Sequence, residues 1–180
     1  MVDQADQWEH RMAAVNGINI HYVIEGQGEP VVMVHGNPSW SFMYRNLVNG
    51  LRNQFRVVVP DHIGCGLSDH PGPLEYPYTL QRRIQDFKKI LDSLNLDRPI
   101  SLVVHDWGGL IGLSYATRYP NRVSRLVVLN STAFHVPKKK ALNPALLWCR
   151  ESRLAPFLIQ KLNFFSSSWV LSTFSLDLNL

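Results

Sequence analysis

The sequence predicts an α/β fold, a mostly parallel sheet with helices on both faces, and three observations predict it. Short β-branched apolar runs such as "PVVMVHG", "FRVVVP" and "RLVVLN" alternate with segments of helical periodicity. The first of these is continuously apolar, which marks a strand buried on both faces. The order strand, helix, strand, helix, strand then calls for parallel pairing through crossover helices.

Each element has its own local signal. Residues 11–26 contain two extended runs around Asn16-Gly17, a dipeptide that accepts the positive φ angles of a two-residue hairpin turn. After the Gly26-Gln27-Gly28 loop comes the first buried strand, then a helix over 39–51, a strand over 55–60 and a loop over 61–73. From Leu80 the residues Ile84, Phe87, Leu91 and Leu94 recur at three- and four-residue steps, one face of an amphipathic helix. A strand over 100–104, a helix over 107–118 and the strand "RLVVLN" complete the alternation. The sequence contains no internal repeat.

Composition narrows the function classes. With 180 residues, 46% hydrophobic and 18% charged, the chain suits a soluble globular protein with one sizeable core. The net charge of +4 is scattered, and its one run, Lys138–Lys140, reads as a solvated loop face, so no nucleic-acid partner is expected. Two distant cysteines, Cys65 and Cys149, and an N-terminus without an apolar signal segment point to a cytoplasmic location. No apolar run approaches the roughly 20 residues of a membrane span. Neither metal-ligand spacing among the seven histidines and two cysteines nor a phosphate-cradling loop is present, so no metal and no organic cofactor is expected.

Ligands in such sheets gather beyond the carboxyl ends of the strands, where three loops of unusual composition fall, 35–41, 61–73 and 105–109. Singly, Gly36, Gly64 and Gly66 suit turns, and His62 or Asp69 suit bracing roles. Together they predict a site. In "VVHDWGGLIG" a strand runs through a tight turn into a helix, with Asp106 at the turn. Gly108 and Gly109 remove side chains where helix and strand approach, and helix-start N–H groups favour a charged Asp106. An ionised carboxylate needs no base to displace a leaving group from an sp³ carbon or to open a strained ring. Taken alone, Asp106 also suits a helix N-cap, Trp107 a core aromatic, and Asn37 a turn residue before Pro38.

"HGNPSWSFMYR", "PDHIGCGLSDHP" and "VVHDWGG", in this order, resemble the α/β-hydrolase superfamily, specifically its haloalkane dehalogenase branch. The resemblance covers about residues 10–165 and implies the α/β-hydrolase fold, with residues 1–136 as the core and 137–180 as a partial helical cap. It implies an enzyme with Asp106 as nucleophile, Trp107 giving an indole N–H and Asn37 an amide N–H to a leaving halide, and their backbone N–H groups forming an oxyanion hole. Uncharged donors suit a departing anion because they do not trap it afterwards. The substrate it implies is small and apolar. Asn37 and "IGCG" sit apart from the aromatic and RGYG elements of epoxide hydrolases, while "PDHIGCGLSD" and "VVLNSTAFHVPKKK" look equally like the β-lactone decarboxylases of that branch. Haloalkane, β-lactone and epoxide therefore stay open as substrates, with a non-catalytic hydrolase-like protein as the alternative.

The superfamily's acid and histidine have no counterpart in this chain. The last histidine is His135, and the positions after the preceding strand are Asn130, Ser131 and Thr132. His35, His62 and His105 belong to the scaffold of the resemblance. The expected behaviour is formation of an Asp106 ester whose hydrolysis stalls. Residues 141–165 look like two cap helices split near Leu154 to Pro156, and the sequence after them resembles nothing in the family.

Overall fold

A computed structural model describes residues 7–131 and the isolated positions 148, 151, 152, 154 and 157. The chain divides into two compact units, Met1–Phe134 and His135–Leu180. The expected cap helices and His135 fall almost entirely outside the described residues. Of the described residues in that stretch, Trp148, Leu154 and Phe157 are exposed.

The first unit carries six strands, β1 (Glu9–Val15), β2 (Ile18–Glu25), β3 (Glu29–Val34), β4 (Phe55–Pro60), β5 (Ile100–His105) and β6 (Val123–Leu129). Between them lie α1 (Arg45–Leu51), α2 (Leu80–Ser93) and α3 (Trp107–Arg118). The sheet order is β1-β2-β4-β3-β5-β6. β4, β3, β5 and β6 pair in parallel, and the β1–β2 hairpin joins antiparallel through β2 to β4. The hairpin turn is the one Asn16-Gly17 predicts, with φ of 54° and 81°.

Strand side chains alternate between two cores. Val31, Met33, Val57, Val59 and Val103 meet Val48 of α1 on one face. Val32, Val34, Val58, Leu102 and Val104 meet Ile84, Phe87 and Leu91 of α2 and Ile111 and Tyr115 of α3 on the other. Helices thus cover both faces, as the continuous apolar run of β3 requires. The helical periodicity from Leu80 is realised as α2, whose start is fixed by Thr79 accepting the Arg82 N–H at 3.3 Å.

One difference from expectation has a local cause. The helix expected over 39–51 opens instead as a 3-10 turn over Ser41–Tyr44 before α1 begins. Ser41 N–H is tied to Asp61 and the Tyr44 hydroxyl to the Val34 carbonyl, so tertiary anchors shape that first turn. In β6, Leu126, Val127, Val128 and Leu129 are exposed. It ends the sheet and pairs only with β5 among the described residues.

Candidate active site

The site is built where β5 turns into α3. Asp106 sits at that turn with φ 51° and ψ −126°, a combination costly for any residue with a side chain. Its side chain makes no capping bond to α3, which removes the N-cap reading. Instead, Asp106 Oδ1 accepts the Asn37 backbone N–H at 2.9 Å. The turn is held from below as Gly109 N–H donates to the Asp106 carbonyl at 2.9 Å and the Ser131 hydroxyl to the same carbonyl at 2.6 Å.

Glycines make that geometry possible. A Cβ on Gly36 would stand 2.6 Å from Asp106 Cγ, so only glycine admits the carboxylate beside the Asn37 loop. At Gly108 a Cβ would stand 2.7 Å from the Val34 carbonyl carbon and 2.8 Å from the His35 oxygen. α3 can therefore approach β3 closely only with glycine there.

The sequence-predicted donors fall around the same carboxylate. Asn37 is exposed beside Asp106, with its backbone N–H engaged as described. Trp107 follows the elbow and is 45% exposed, so it is not a core aromatic. Of the two backbone donors expected for an oxyanion hole, that of Asn37 is bonded to the carboxylate. Asp106, Trp107, Leu110, Asn130 and Ser131 line an open cleft of about 360 Å³, within the range of small-molecule sites.

The neighbouring histidines are occupied elsewhere. His35 Nδ1–H donates to the Gly36 carbonyl at 2.8 Å, and its Nε2 accepts the His62 backbone N–H at 3.0 Å. His62 Nε2–H in turn donates to the His35 carbonyl at 3.0 Å. Both rings are buried, and burial pushes both below the usual histidine range. They are neutral braces between loops 35–41 and 61–73. His105 Nδ1 is buried without a hydrogen-bond partner, and no histidine lines the cleft among the described residues.

One organising residue escaped the sequence reading. Asp61, fully buried, accepts from Ser41 N–H at 2.6 Å, Leu67 N–H at 3.0 Å and His21 Nδ1–H at 2.8 Å. Burial alone raises its pKa, but the bonds from His21, Leu67 and Ser41 together outweigh it and hold the carboxyl below the usual range. It locks the Asn37 loop to the 61–73 loop. Asn130 and Ser131 were noted only as lacking an acid; their place in the cleft follows from β6 pairing beside β5, which spacing in the sequence does not reveal.

The alpha/beta hydrolase fold family matches residues 29–168. The chain belongs to that family. Among its relatives is a cis-3-alkyl-4-alkyloxetan-2-one decarboxylase of Shewanella oneidensis, 55% identical over 167 residues, covering 93% of this chain and 52% of that protein. A haloalkane dehalogenase of Mycobacterium bovis is 44% identical over 115 residues, covering 64% and 39%. The crystal structure of a haloalkane dehalogenase from Agrobacterium tumefaciens C58 matches with a TM-score of 0.79 and 29% identity, covering 89% and 55%. The chain spans about half the length of the curated relatives it matches. Asp106 stands at the turn from β5 into α3 of this fold.

Among the described residues, no group of three metal-binding side chains comes together, and no helix is long and apolar enough to cross a membrane.

Proposed function

We propose that this chain carries the nucleophile and leaving-group donors of an enzyme that attacks an sp³ carbon of a small apolar substrate, with a cis-dialkyl β-lactone as the favoured substrate. One observation carries the reading. Asp106 stands in a strained turn with Oδ1 held by the Asn37 N–H at 2.9 Å, which leaves Oδ2 as the attacking atom. The held oxygen is the one that becomes the carbonyl oxygen of an Asp106 ester.

On a β-lactone, Oδ2 forms a bond to C4 as the bond from C4 to the ring oxygen breaks, freeing a carboxylate on the substrate. That carboxylate leaves as carbon dioxide. The electrons of its C–C bond form the C3=C4 double bond, and the C4–O bond to Asp106 breaks, returning its electron pair to the carboxylate. No water and no proton is consumed. The 55% identity to a decarboxylase of such lactones supports this substrate class.

A second reading, supported by the 44% identical dehalogenase, has Oδ2 displace a halide that Trp107 Nε1–H and Asn37 Nδ2–H receive. Its ester then needs an activated water, and no histidine lines the cleft among the described residues to activate one. The two routes differ in what accumulates. The chain is incubated separately with a cis-3,4-dialkyloxetan-2-one and with 1-bromobutane, and products are read by gas chromatography and by peptide mapping. Alkene and carbon dioxide without a lasting adduct support the lactone route. A butyl ester on Asp106 supports halide displacement, and neither product from a folded sample, matched by Asp106→Asn, leaves a non-catalytic binding protein.

A further inference from the structure

Asn37 presents two groups to the site, and only one is fixed by its own backbone. The N–H is bonded to Asp106, whereas the side-chain amide can turn either its oxygen or its nitrogen toward the 61–73 loop. Only the nitrogen can stabilise a departing anion. Something must choose.

Cys65 makes that choice in the structure. Its Sγ lies 3.8 Å from Asn37 Oδ1, within the longer reach of a sulfur donor. The thiol is half-buried, and burial raises its pKa above the ordinary value, more than the Arg83 guanidinium beside it lowers it. It is therefore an S–H at neutral pH and can donate. Thiol donation demands the amide oxygen, which turns Nδ2–H₂ away from the sulfur.

The placement of the sulfur is also built in. Gly64 and Gly66, at φ 81° and 54°, flank Cys65 in a tight turn closed by Cys65 N–H to the His62 carbonyl at 2.8 Å and Ser68 N–H to the Cys65 carbonyl at 3.2 Å. A Cβ on Gly66 would stand 2.5 Å from Asp61 Cγ and 2.8 Å from Trp40 Cβ, so the turn fits tightly against the Asn37 loop. Asp61 ties both loops together, which fixes the thiol and the amide relative to one another.

We propose that Cys65 is a positioning residue whose thiol holds the Asn37 side-chain oxygen, so that Nδ2–H₂ faces the leaving group of the Asp106 reaction. The assignment of a leaving group rests on the proposed function; the orientation of the amide does not. The test therefore has one arm that needs no turnover. In the full 180-residue chain, the Asn37 side-chain ¹⁵N amide resonances, identified by their loss in Asn37→Asp, should show the heteronuclear NOE of an ordered group. Cys65→Ala should reduce that NOE, and Cys65→Ser, which keeps a donor, should restore it.

The second arm compares Asp106 esterification by 1-chlorobutane and 1-iodobutane, with the adduct mapped to Asp106 so that thiol alkylation does not count. Cys65→Ala should slow the chloride reaction by roughly three- to tenfold, the size of one lost hydrogen bond, and the iodide reaction by less. Cys65→Ser should recover the wild-type ratio. An unchanged amide NOE in folded Cys65→Ala overturns the inference whatever the kinetics. If the amide loosens but the wild-type chain never esterifies Asp106, Cys65 keeps its positioning role and halide displacement is what falls; a chloride-to-iodide ratio indifferent to Cys65→Ala overturns its effect on the leaving group.

Discussion

Gly36→Ala isolates the geometry of Asp106, the proposed nucleophile, from its chemistry. Gly36 does not need a positive φ, so alanine is conformationally acceptable, and the cost is steric. The new Cβ would stand 2.6 Å from Asp106 Cγ, where ordinary contact begins at 3.4 Å. The carboxylate must retreat by about 1 Å, enough to stretch the 2.9 Å bond from Asn37 N–H beyond hydrogen-bonding range. Losing a bond to a charged acceptor costs about 1.5–3 kcal/mol, and a displacement of that size at a reacting atom is itself worth roughly a hundredfold. Formation of alkene from a cis-dialkyl β-lactone, or of the Asp106 butyl ester, should thus fall by about ten- to a hundredfold. Circular dichroism and urea unfolding verify that the fold persists. A folded Gly36→Ala chain reacting at the wild-type rate would refute the view that Oδ1 must sit against the Asn37 loop.

Other perturbations probe the frame. Gly108→Ala puts a Cβ against the β3 backbone, which cannot yield, and should cost about 1–3 kcal/mol or more in urea-unfolding stability. Because burial lowers the His35 and His62 pKa values, their contribution is complete above the usual histidine range and is lost as the pH falls below it toward the folded values. Asp61, also lowered, contributes fully above the usual aspartate range and loses that contribution as the pH falls through its folded value. Urea midpoints should therefore decline in two stages on acidification, and Asp61→Asn should be less stable at neutral pH yet lack the lower stage. Val127→Lys on the exposed β6 should reduce light scattering at high protein concentration, since a charge on an edge strand opposes edge pairing.

What could be read from the sequence was what local chemistry dictates. Asn16-Gly17 requires positive φ angles and obtains them; Thr79 caps the helix whose apolar spacing starts at Leu80. The elbow was legible because Gly108 and the aspartate of "HDWGG" carry their constraint within a few residues. Asp61 was not. A carboxylate in a polar loop looks solvated in a sequence, and only pairing of β2 with β4 brings His21 to it from forty residues away. The 3-10 opening at Ser41 was hidden for the same reason, since Asp61 and Val34 anchor it from elsewhere in the chain.

The division of labour between the two oxygens of Asp106 bears on why one site is related to two chemistries. In the proposed function, halide displacement and lactone opening share their first step, in which Oδ2 attacks carbon while Oδ1 stays against the Asn37 N–H that holds it in the structure. They part at the leaving group. A halide departs as a separate anion and leaves an ester that persists until water attacks. In a β-lactone the leaving carboxylate remains tethered to the carbon chain, next to the bond it must break, and its loss as carbon dioxide expels Asp106 without water. A donor pair that clamps a small halide too firmly only slows its exit, but the same pair held too firmly on a carboxylate stabilises the charge that must be given up, and so suppresses decarboxylation itself. Asn37 and Trp107 are both uncharged, which suits either route, whereas a lysine or arginine in their place would oppose the second. Asn37→Lys should accordingly depress alkene release from a β-lactone far more than it depresses ring opening, so that a ring-opened ester on Asp106 becomes detectable by peptide mapping.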